Sequence, residues 1–152
     1  MKRPRGRALT ILVTLVGMLL GGLLTAGEAS ATREVPSFYK TAVPASGKVS
    51  CYGYYGTFKA GTYVVVFDWV TSSDECFGIS TDRTIWHAWP NSGGWHRMGG
   101  NGHADEIYPE WSLEDTVTKQ RQVAVFVYSN YTAYCQDYVL PNGWTGSWFN
   151  CS

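Results

Sequence analysis

The sequence is short of the residues that most catalytic and metal-binding sites need. Its 152 residues include only three histidines and four cysteines. No Cys-x-x-Cys pair and no paired Cys/His spacing occurs, which disfavours a structural zinc site. The Gly-x-Ser-x-Gly elbow, which presents the serine nucleophile in many hydrolases, is also missing. These absences leave few routes to nucleophilic or metal-assisted catalysis.

An excess of positive charge is also missing. The chain has 12 basic and 12 acidic residues, and four of the basic ones lie before residue 8 (Lys2, Arg3, Arg5 and Arg7). Without residues 1–31, eight basic and eleven acidic residues remain, a net charge of about −3. No basic stripe is left, which argues against nucleic acid and against an anionic membrane surface as partners.

The N-terminus has the three-part pattern of a secretory signal peptide. The basic residues precede an apolar run from Ala8 to Leu24, and Ala29-Ser30-Ala31 forms an A-x-A cleavage site. We therefore predict a signal peptide over residues 1–31 and an extracellular mature chain that begins at Thr32. A membrane anchor is disfavoured because no stop-transfer flank follows the run. The sequence has no twin-Arg pair and no cysteine at the cleavage site, which argues against the twin-Arg export route and against a lipid anchor.

All four cysteines lie in the predicted mature chain, at Cys51, Cys76, Cys135 and Cys151. An even number in an oxidising compartment indicates two disulfides, and spacing alone leaves three pairings open. We favour Cys51 with Cys76 and Cys135 with Cys151. Each bridge would close a short loop, a constraint worth about 3 kcal/mol in the chain-entropy model.

Most of the mature chain has the pattern of short β-strands. Residues 32–48 mix proline, serine and glycine and predict a flexible N-terminal arm or a loosely held extended segment. Beyond them, β-branched and aromatic runs recur between turn residues, at 63–70, 75–80, 84–89, 95–98, 122–129, 133–138 and 144–149. The spacing predicts an all-β domain over residues 49–152, either a disulfide-stapled antiparallel β-sandwich or two blades of propeller-like sheet.

One segment departs from the strand pattern. Pro109 to Gln120 contains Ser112 shortly before Glu114 and Asp115, an order that resembles a helix cap. It predicts one short helical turn.

A weak internal repeat appears when the chain is aligned with itself. An offset of 49 residues matches Phe77, Gly94 and Trp95 with Phe126, Gly143 and Trp144. A rival offset of 59 instead matches Val64, Val66 and Cys76 with Val123, Val125 and Cys135. We prefer 49 because it superposes turns as well as strands, and it predicts equivalent positions for Trp95 and Trp144. A period near 50 fits one propeller blade.

Two Trp-rich segments carry a resemblance to known lectins. Trp86-His-Ala-Trp-Pro-Asn-Ser-Gly-Gly-Trp-His-Arg-Met-Gly-Gly100 resembles the blade motif of tachylectin-like and fungal-fruit-body-type lectin propellers. Asn142-Gly-Trp-Thr-Gly-Ser-Trp148 is similar to the two-repeat fucose-binding bacterial lectins. The resemblance implies sugar sites between blades, built from an Arg, a Glu and stacking Trp residues. The whole chain is similar to small secreted actinobacterial proteins of unassigned function.

The chain departs from the lectin pattern at the charged positions. Where the resemblance implies an Arg and a Glu on the strands, this sequence has Cys76 and Ala124, or Gln136 and His87. Sugar specificity therefore cannot be transferred from those lectins. Of the site residues that the lectin resemblance implies, only the stacking tryptophans have counterparts in this sequence, namely Trp86, Trp89, Trp95, Trp144 and Trp148.

The aromatic content independently favours a binding function. Seven Trp, ten Tyr and six Phe all follow residue 31, more aromatic surface than so small a core needs. Exposed aromatics on a secreted domain usually serve recognition, although Trp89 and Trp95 could instead pack into the core. We predict a non-catalytic module, without cofactor or metal, that binds a glycan or cell-wall polysaccharide. Carbohydrate affinity would then depend on multivalency, from repeats or from an oligomer, and a two-blade propeller would require an oligomer, whereas the monomeric β-sandwich that we favour does not.

Two alternatives remain open. His103 and Asp105, in the Gly-rich stretch Gly99 to Glu106, could act as a general base with its orienting carboxylate or bind a divalent metal. A secreted inhibitor would instead present the loop from Gly99 to Trp111 to a protein partner.

Overall fold

A computed structural model describes residues 32–152, so the predicted signal peptide lies outside the described residues. Fourteen strands span this part of the chain: β1 (Arg33–Glu34), β2 (Ser37–Ala42), β3 (Lys48–Cys51), β4 (Tyr54–Thr57), β5 (Tyr63–Asp68), β6 (Glu75–Ile79), β7 (Ile85–Ala88), β8 (His96–Arg97), β9 (Glu106–Ile107), β10 (Leu113–Asp115), β11 (Arg121–Val127), β12 (Thr132–Val139), β13 (Gly143–Trp144) and β14 (Phe149–Asn150). The predicted β-branched and aromatic runs locate β5, β6, β7, β8, β11 and β12. The run predicted at 144–149 is not one strand, because a non-strand segment separates β13 from β14, and β1, β2, β3, β4, β9 and β10 lie outside the predicted runs.

Two antiparallel sheets contain all of these strands except the β3–β4 hairpin. Sheet A has the order β1-β10-β11-β12-β13, with β9 also paired to β11 and β14 to β12. Sheet B has the order β2-β5-β6-β7-β8. The predicted all-β antiparallel fold is thus confirmed, and over residues 32–152 the sheets close into neither a barrel nor a propeller.

The main core lies between the two sheets. Successive side chains of a strand point to opposite faces, so alternate residues of each central strand enter this space. Val123, Val125 and Val127 of β11 meet Phe77 and Ile79 of β6 there. Each fully buried side chain of this kind contributes about 1.5–3 kcal/mol.

A second core covers the outer face of sheet B. The β3–β4 hairpin and Phe58 pack on the outward side chains Val64 and Val66. A Cβ on Gly78 of β6 would lie 2.7 Å from the Phe58 ring, so this close packing requires glycine.

Both disulfides form with the favoured pairing. Cys51–Cys76 joins the β3–β4 hairpin to β6, and Cys135–Cys151 joins β12 to the end of the chain. They close separations of 25 and 16 residues.

The segment predicted as a flexible arm is largely strand in this structure. β1 pairs with β10, and all six residues of β2 pair with β5. Phe38 reaches the main core, with its ring centroid 6.3 Å from that of Phe67. The other five side chains of β2 are exposed, as suits an edge strand, and this polar composition obscured the strand pattern.

The predicted helical turn is a single 3-10 turn, Pro109–Trp111, followed directly by β10. Ser112 does not cap it at the N-terminus. The Ser112 hydroxyl instead accepts from the Ala124 N–H at 3.0 Å and donates to the Tyr108 carbonyl at 3.3 Å. Ser112 therefore ties the turn to β11.

The internal repeat holds for strand order but not for side-chain direction. β6-β7-β8 and β11-β12-β13 occupy corresponding places in their sheets, as the offset of 49 predicts. However, Phe77 lies in the main core, whereas Phe126 contacts Tyr108 and Tyr128 outside it. The β6–β7 and β11–β12 hairpins differ in register by an odd number of residues, so aligned residues of β7 and β12 share a face whereas those of β6 and β11 lie on opposite faces.

Candidate functional site

The two sheets frame a cleft at the end of the sandwich where β6 and β11 begin and β7 and β12 end. This Trp144 cleft has a volume of about 270 Å³ and is lined by Ser72, Ser73, Glu75, His87, Trp89, Arg121, Tyr138 and Trp144. It combines charged groups with aromatic walls.

Charged residues take inward positions at the start of β6 and β11. Glu75 has the same direction as Phe77, and Arg121 the same direction as Val123, so both side chains point between the sheets. The Glu75 side chain is only 5% exposed and that of Arg121 only 7%. Charges this deeply buried require partners.

The Glu75 carboxylate is fully paired within the protein. Its Oε1 hydrogen-bonds His87 Nδ1 and accepts from Trp144 Nε1 at 3.1 Å. Its Oε2 accepts from Arg121 Nη1 at 3.3 Å, and the same nitrogen is 2.9 Å from Ser72 Oγ. One carboxylate therefore fixes the orientations of a histidine, a tryptophan and an arginine.

Aromatic rings enclose this charge cluster. The Arg121 guanidinium lies 3.7 Å from the Tyr138 ring centroid, a cation–π contact. Trp144 meets Tyr138 edge to face, with centroids 5.5 Å apart. Trp89 stacks on His96 at 5.1 Å and stays 37% exposed, so part of its indole ring is available to a ligand.

The structure separates the five tryptophans predicted to bind ligand. Trp89 and Trp144 come together in the Trp144 cleft. Trp86 and Trp95 pack against the second core instead, where Trp95 lies 4.5 Å from Phe58 and donates to the Tyr54 carbonyl at 3.0 Å. Trp95 and Trp144 thus face different cores, and their predicted equivalence is wrong because the register of β8 on β7 differs by an odd number of residues from that of β13 on β12.

Sequence reasoning missed five residues of the cleft: Ser72, Ser73, Glu75, Arg121 and Tyr138. A signal for Arg121 was present, because it has the same parity as the buried valines of its strand. The lectin resemblance implied an Arg and a Glu on the strands, at Cys76 and Ala124 among other positions. An Arg and a Glu do occur on these two strands, at Arg121 and Glu75.

Trp148 lines a second cleft near the tips of the β6–β7 and β11–β12 hairpins. This Trp148 cleft has a volume of about 450 Å³ and is lined by Arg83, Asn101, Gly102, His103, Val125, Val127, Ser129, Asn130, Tyr134 and Trp148. Trp148 Nε1 donates to the Gly99 carbonyl at 3.1 Å. A Cβ on Gly102 would lie 2.5 Å from Nε1, so the indole rests directly on this glycine.

His103 and Asp105 do not form the predicted pair. His103 Nδ1 hydrogen-bonds the Asn101 carbonyl at 3.1 Å. The Asp105 carboxylate binds Lys59 at 3.0 Å, Arg83 at 3.1 Å and the Tyr128 N–H at 3.0 Å. Burial alone would raise the pKa of Asp105, but these partners hold it below its ordinary value.

The loop from Gly99 to Trp111, considered as an inhibitory loop, is anchored at several points. Ala104, Ile107 and Pro109 are buried, and β9 pairs with β11. Over residues 32–152, no group of three His, Cys, Asp or Glu side chains is placed to hold a metal ion. The same part of the chain contains no helix long and apolar enough to cross a membrane.

Comparison with protein-family models, with curated proteins and with solved structures finds no significant match for this chain. The class is therefore defined by the fold itself: an all-β protein of two antiparallel sheets with two disulfides.

Proposed function

We propose that the protein is a secreted, non-catalytic carbohydrate-binding module and that the Trp144 cleft holds the sugar. One observation carries the proposal. Two of the five tryptophans singled out from the sequence, Trp89 and Trp144, converge with Tyr138 around a buried charge cluster. Secretion is part of the proposal and is supported by the signal-peptide pattern together with two disulfides.

The cleft offers both surfaces that a sugar needs. The exposed indole of Trp89 can stack on the C–H face of a pyranose ring. The Ser73 hydroxyl, His87 and the remaining N–H groups of Arg121 can bond the hydroxyls of that sugar. Glu75 and Arg121 neutralise each other, so we expect a neutral sugar rather than an acidic one.

The contacts of Glu75 favour binding over catalysis. Both carboxylate oxygens accept hydrogen bonds from the protein, so Glu75 is committed to positioning His87, Trp144 and Arg121. The alternative enzyme hypothesis needed His103 and Asp105 to act together, and their hydrogen bonds are to other groups. An inhibitory role remains an alternative that no contact in residues 32–152 favours.

A matched pair of tryptophan variants tests the proposal. Trp89 is 37% exposed in the cleft, and Trp111 is 40% exposed outside it. We expect Trp89→Ala to weaken binding to neutral cell-wall polysaccharide about five- to tenfold, because a stacking contact contributes on the order of 1 kcal/mol. Trp111→Ala should leave affinity unchanged. A glycan array followed by titration calorimetry measures both.

Glycan binding by the wild-type protein is measured first. If it retains no glycan on an array that includes cell-wall polysaccharides, the proposal is wrong. It is also wrong if Trp89→Ala and Trp111→Ala bind equally well while their melting temperatures match that of the wild type.

A further inference from the structure

We propose that the Trp148 cleft is a second ligand site and that it takes a small amphipathic anion, an apolar ring or chain carrying one carboxylate. This site does not depend on the sugar-binding proposal, because the two clefts share no lining residue.

The shape of the cleft suits a ligand with an apolar body. At about 450 Å³ it is larger than the Trp144 cleft at about 270 Å³. Val125 and Val127 extend from the main core into its lining, and the Trp148 indole lies beside them. Asn101 and Asn130 add polar groups. A concave apolar surface with a few converging polar side chains is the usual form of a small-molecule site.

The charge beside the cleft favours an anion. Asp105 carries one negative charge and binds two cations, Lys59 at 3.0 Å and Arg83 at 3.1 Å. Lys59, Arg83 and Asp105 together therefore carry one excess positive charge, and neither Asp82 nor Glu106 forms an ion pair with them in residues 32–152. The Trp144 cleft differs, because its single carboxylate is matched by Arg121.

Arg83 has donors left for a ligand carboxylate. Within residues 32–152 only its Nη2 makes a hydrogen bond, to Asp105, which leaves Nη1 without a partner, while the buried Nε is out of reach of a ligand. A planar guanidinium with free N–H groups is well suited to a carboxylate, which it can bind in bidentate fashion.

The backbone holds Arg83 in an unusual conformation at this point. Its φ is +68°, in the left-handed region that non-glycine residues rarely adopt. The Arg83 N–H donates to the Ser80 carbonyl at 2.9 Å, and its carbonyl accepts from the Ala104 N–H at 2.9 Å. Tyr52, Asn91, Lys119 and Tyr131 share this region, and at Arg83 it is the left-handed position of the β6–β7 turn. The ion pair with Asp105 holds the Arg83 guanidinium beside the cleft before any ligand arrives.

Two probes of the same shape test the site: 4-phenylbutyrate, which ends in a charged carboxylate, and 4-phenylbutyramide, which ends in a neutral amide. Calorimetry gives affinity, and the indole N–H resonance of Trp148 in an NMR titration reports the location. We expect the acid to bind about tenfold more tightly than the amide, because hydrogen bonds to a charged group are the stronger kind. The Trp148 resonance should shift with both probes, and Trp89→Ala should change neither affinity.

Charge variants separate the anion site from a general affinity for apolar molecules. Arg83→Gln should reduce binding of the acid to the level of the amide. Lys59→Gln should weaken the acid about twofold through the loss of a nearby charge. Lys40→Gln is the matched control: Lys40 is 35% exposed against 37% for Lys59, but it pairs with Glu110 instead of Asp105. It should have no effect.

The proposal is overturned if acid and amide bind equally, if neither binds, or if Lys59→Gln and Lys40→Gln change the affinity for the acid by the same factor. It is also overturned if binding of the acid leaves the Trp148 resonance unmoved. Should Arg83→Gln fail to fold, the two lysine variants still decide between these outcomes.

Discussion

The two clefts border the same core but balance their charges differently. In the Trp144 cleft one carboxylate meets one guanidinium, and both side chains are almost fully buried. Beside the Trp148 cleft, Asp105 is 13% exposed, while its partners Lys59 and Arg83 are 37% and 39% exposed, and only Arg83 lines the cleft itself. The first cluster is neutral and holds its aromatic walls in place. The second is positively biased and open to water, so its cations can exchange partners with a ligand.

The largest effect should come from breaking the buried cluster. Glu75→Gln leaves Arg121 as an uncompensated buried charge, so we expect a loss of about 3–5 kcal/mol in unfolding free energy. Urea denaturation measures it. Glu110→Gln is the control, because Glu110 pairs with Lys40 at the surface and should cost under about 1 kcal/mol. Equal losses in the two variants would mean that the buried charges do not stabilise the Trp144 cleft.

Asp105→Asn should have an intermediate effect that depends on pH. We expect a loss on the order of 2 kcal/mol at neutral pH, since hydrogen bonds to a charged group are removed. The pKa of Asp105 is lowered in the folded state, so its stabilisation is complete above the ordinary value of about 3.9 and disappears as pH falls through the folded value. Melting temperatures of variant and wild type should therefore converge once the pH lies below the folded-state pKa of Asp105. A constant difference from pH 7 to pH 2 would contradict this assignment.

The smallest effect should come from adding one methyl group to the Trp148 cleft. Gly102→Ala places a Cβ against the indole of Trp148, so we expect a loss of about 1–2 kcal/mol and a shift of the indole N–H resonance. In a Trp148→Ala background, Gly102→Ala should lower the unfolding free energy much less, because the indole that the new methyl group would contact is absent. Additive losses across this double-mutant cycle would show that the clash is elsewhere.

Local patterns in the sequence predicted most of the fold. β-branched and aromatic runs located β5, β6, β7, β11 and β12, because these strands have one or both faces buried. Spacing alone left three disulfide pairings open, and the observed one is the pairing that we favoured because it closes short loops. β2 was not predicted as a strand because only Phe38 points into the core, and its pairing with β5 is a contact between distant segments.

The candidate site was only partly predictable. Aromatic content led to Trp89 and Trp144, but it also led to Trp86 and Trp95, which fill a core. Which face an indole occupies depends on hairpin register, and a gapless repeat cannot detect an odd shift in that register. Glu75 and Arg121 lie far apart in the chain, so their ion pair depends on how the two sheets stack.

The first strands of the described chain have a kinetic consequence. β1 belongs to sheet A and β2 to sheet B, and only two residues separate them, so this short segment joins the two sheets. Arg33 pairs with Asp115, whereas the β6–β7 and β11–β12 hairpins form between near neighbours in sequence. Closing so long a loop is slower than closing a hairpin. We therefore expect β1 to dock on β10 after the hairpins have formed and to complete the edge of sheet A.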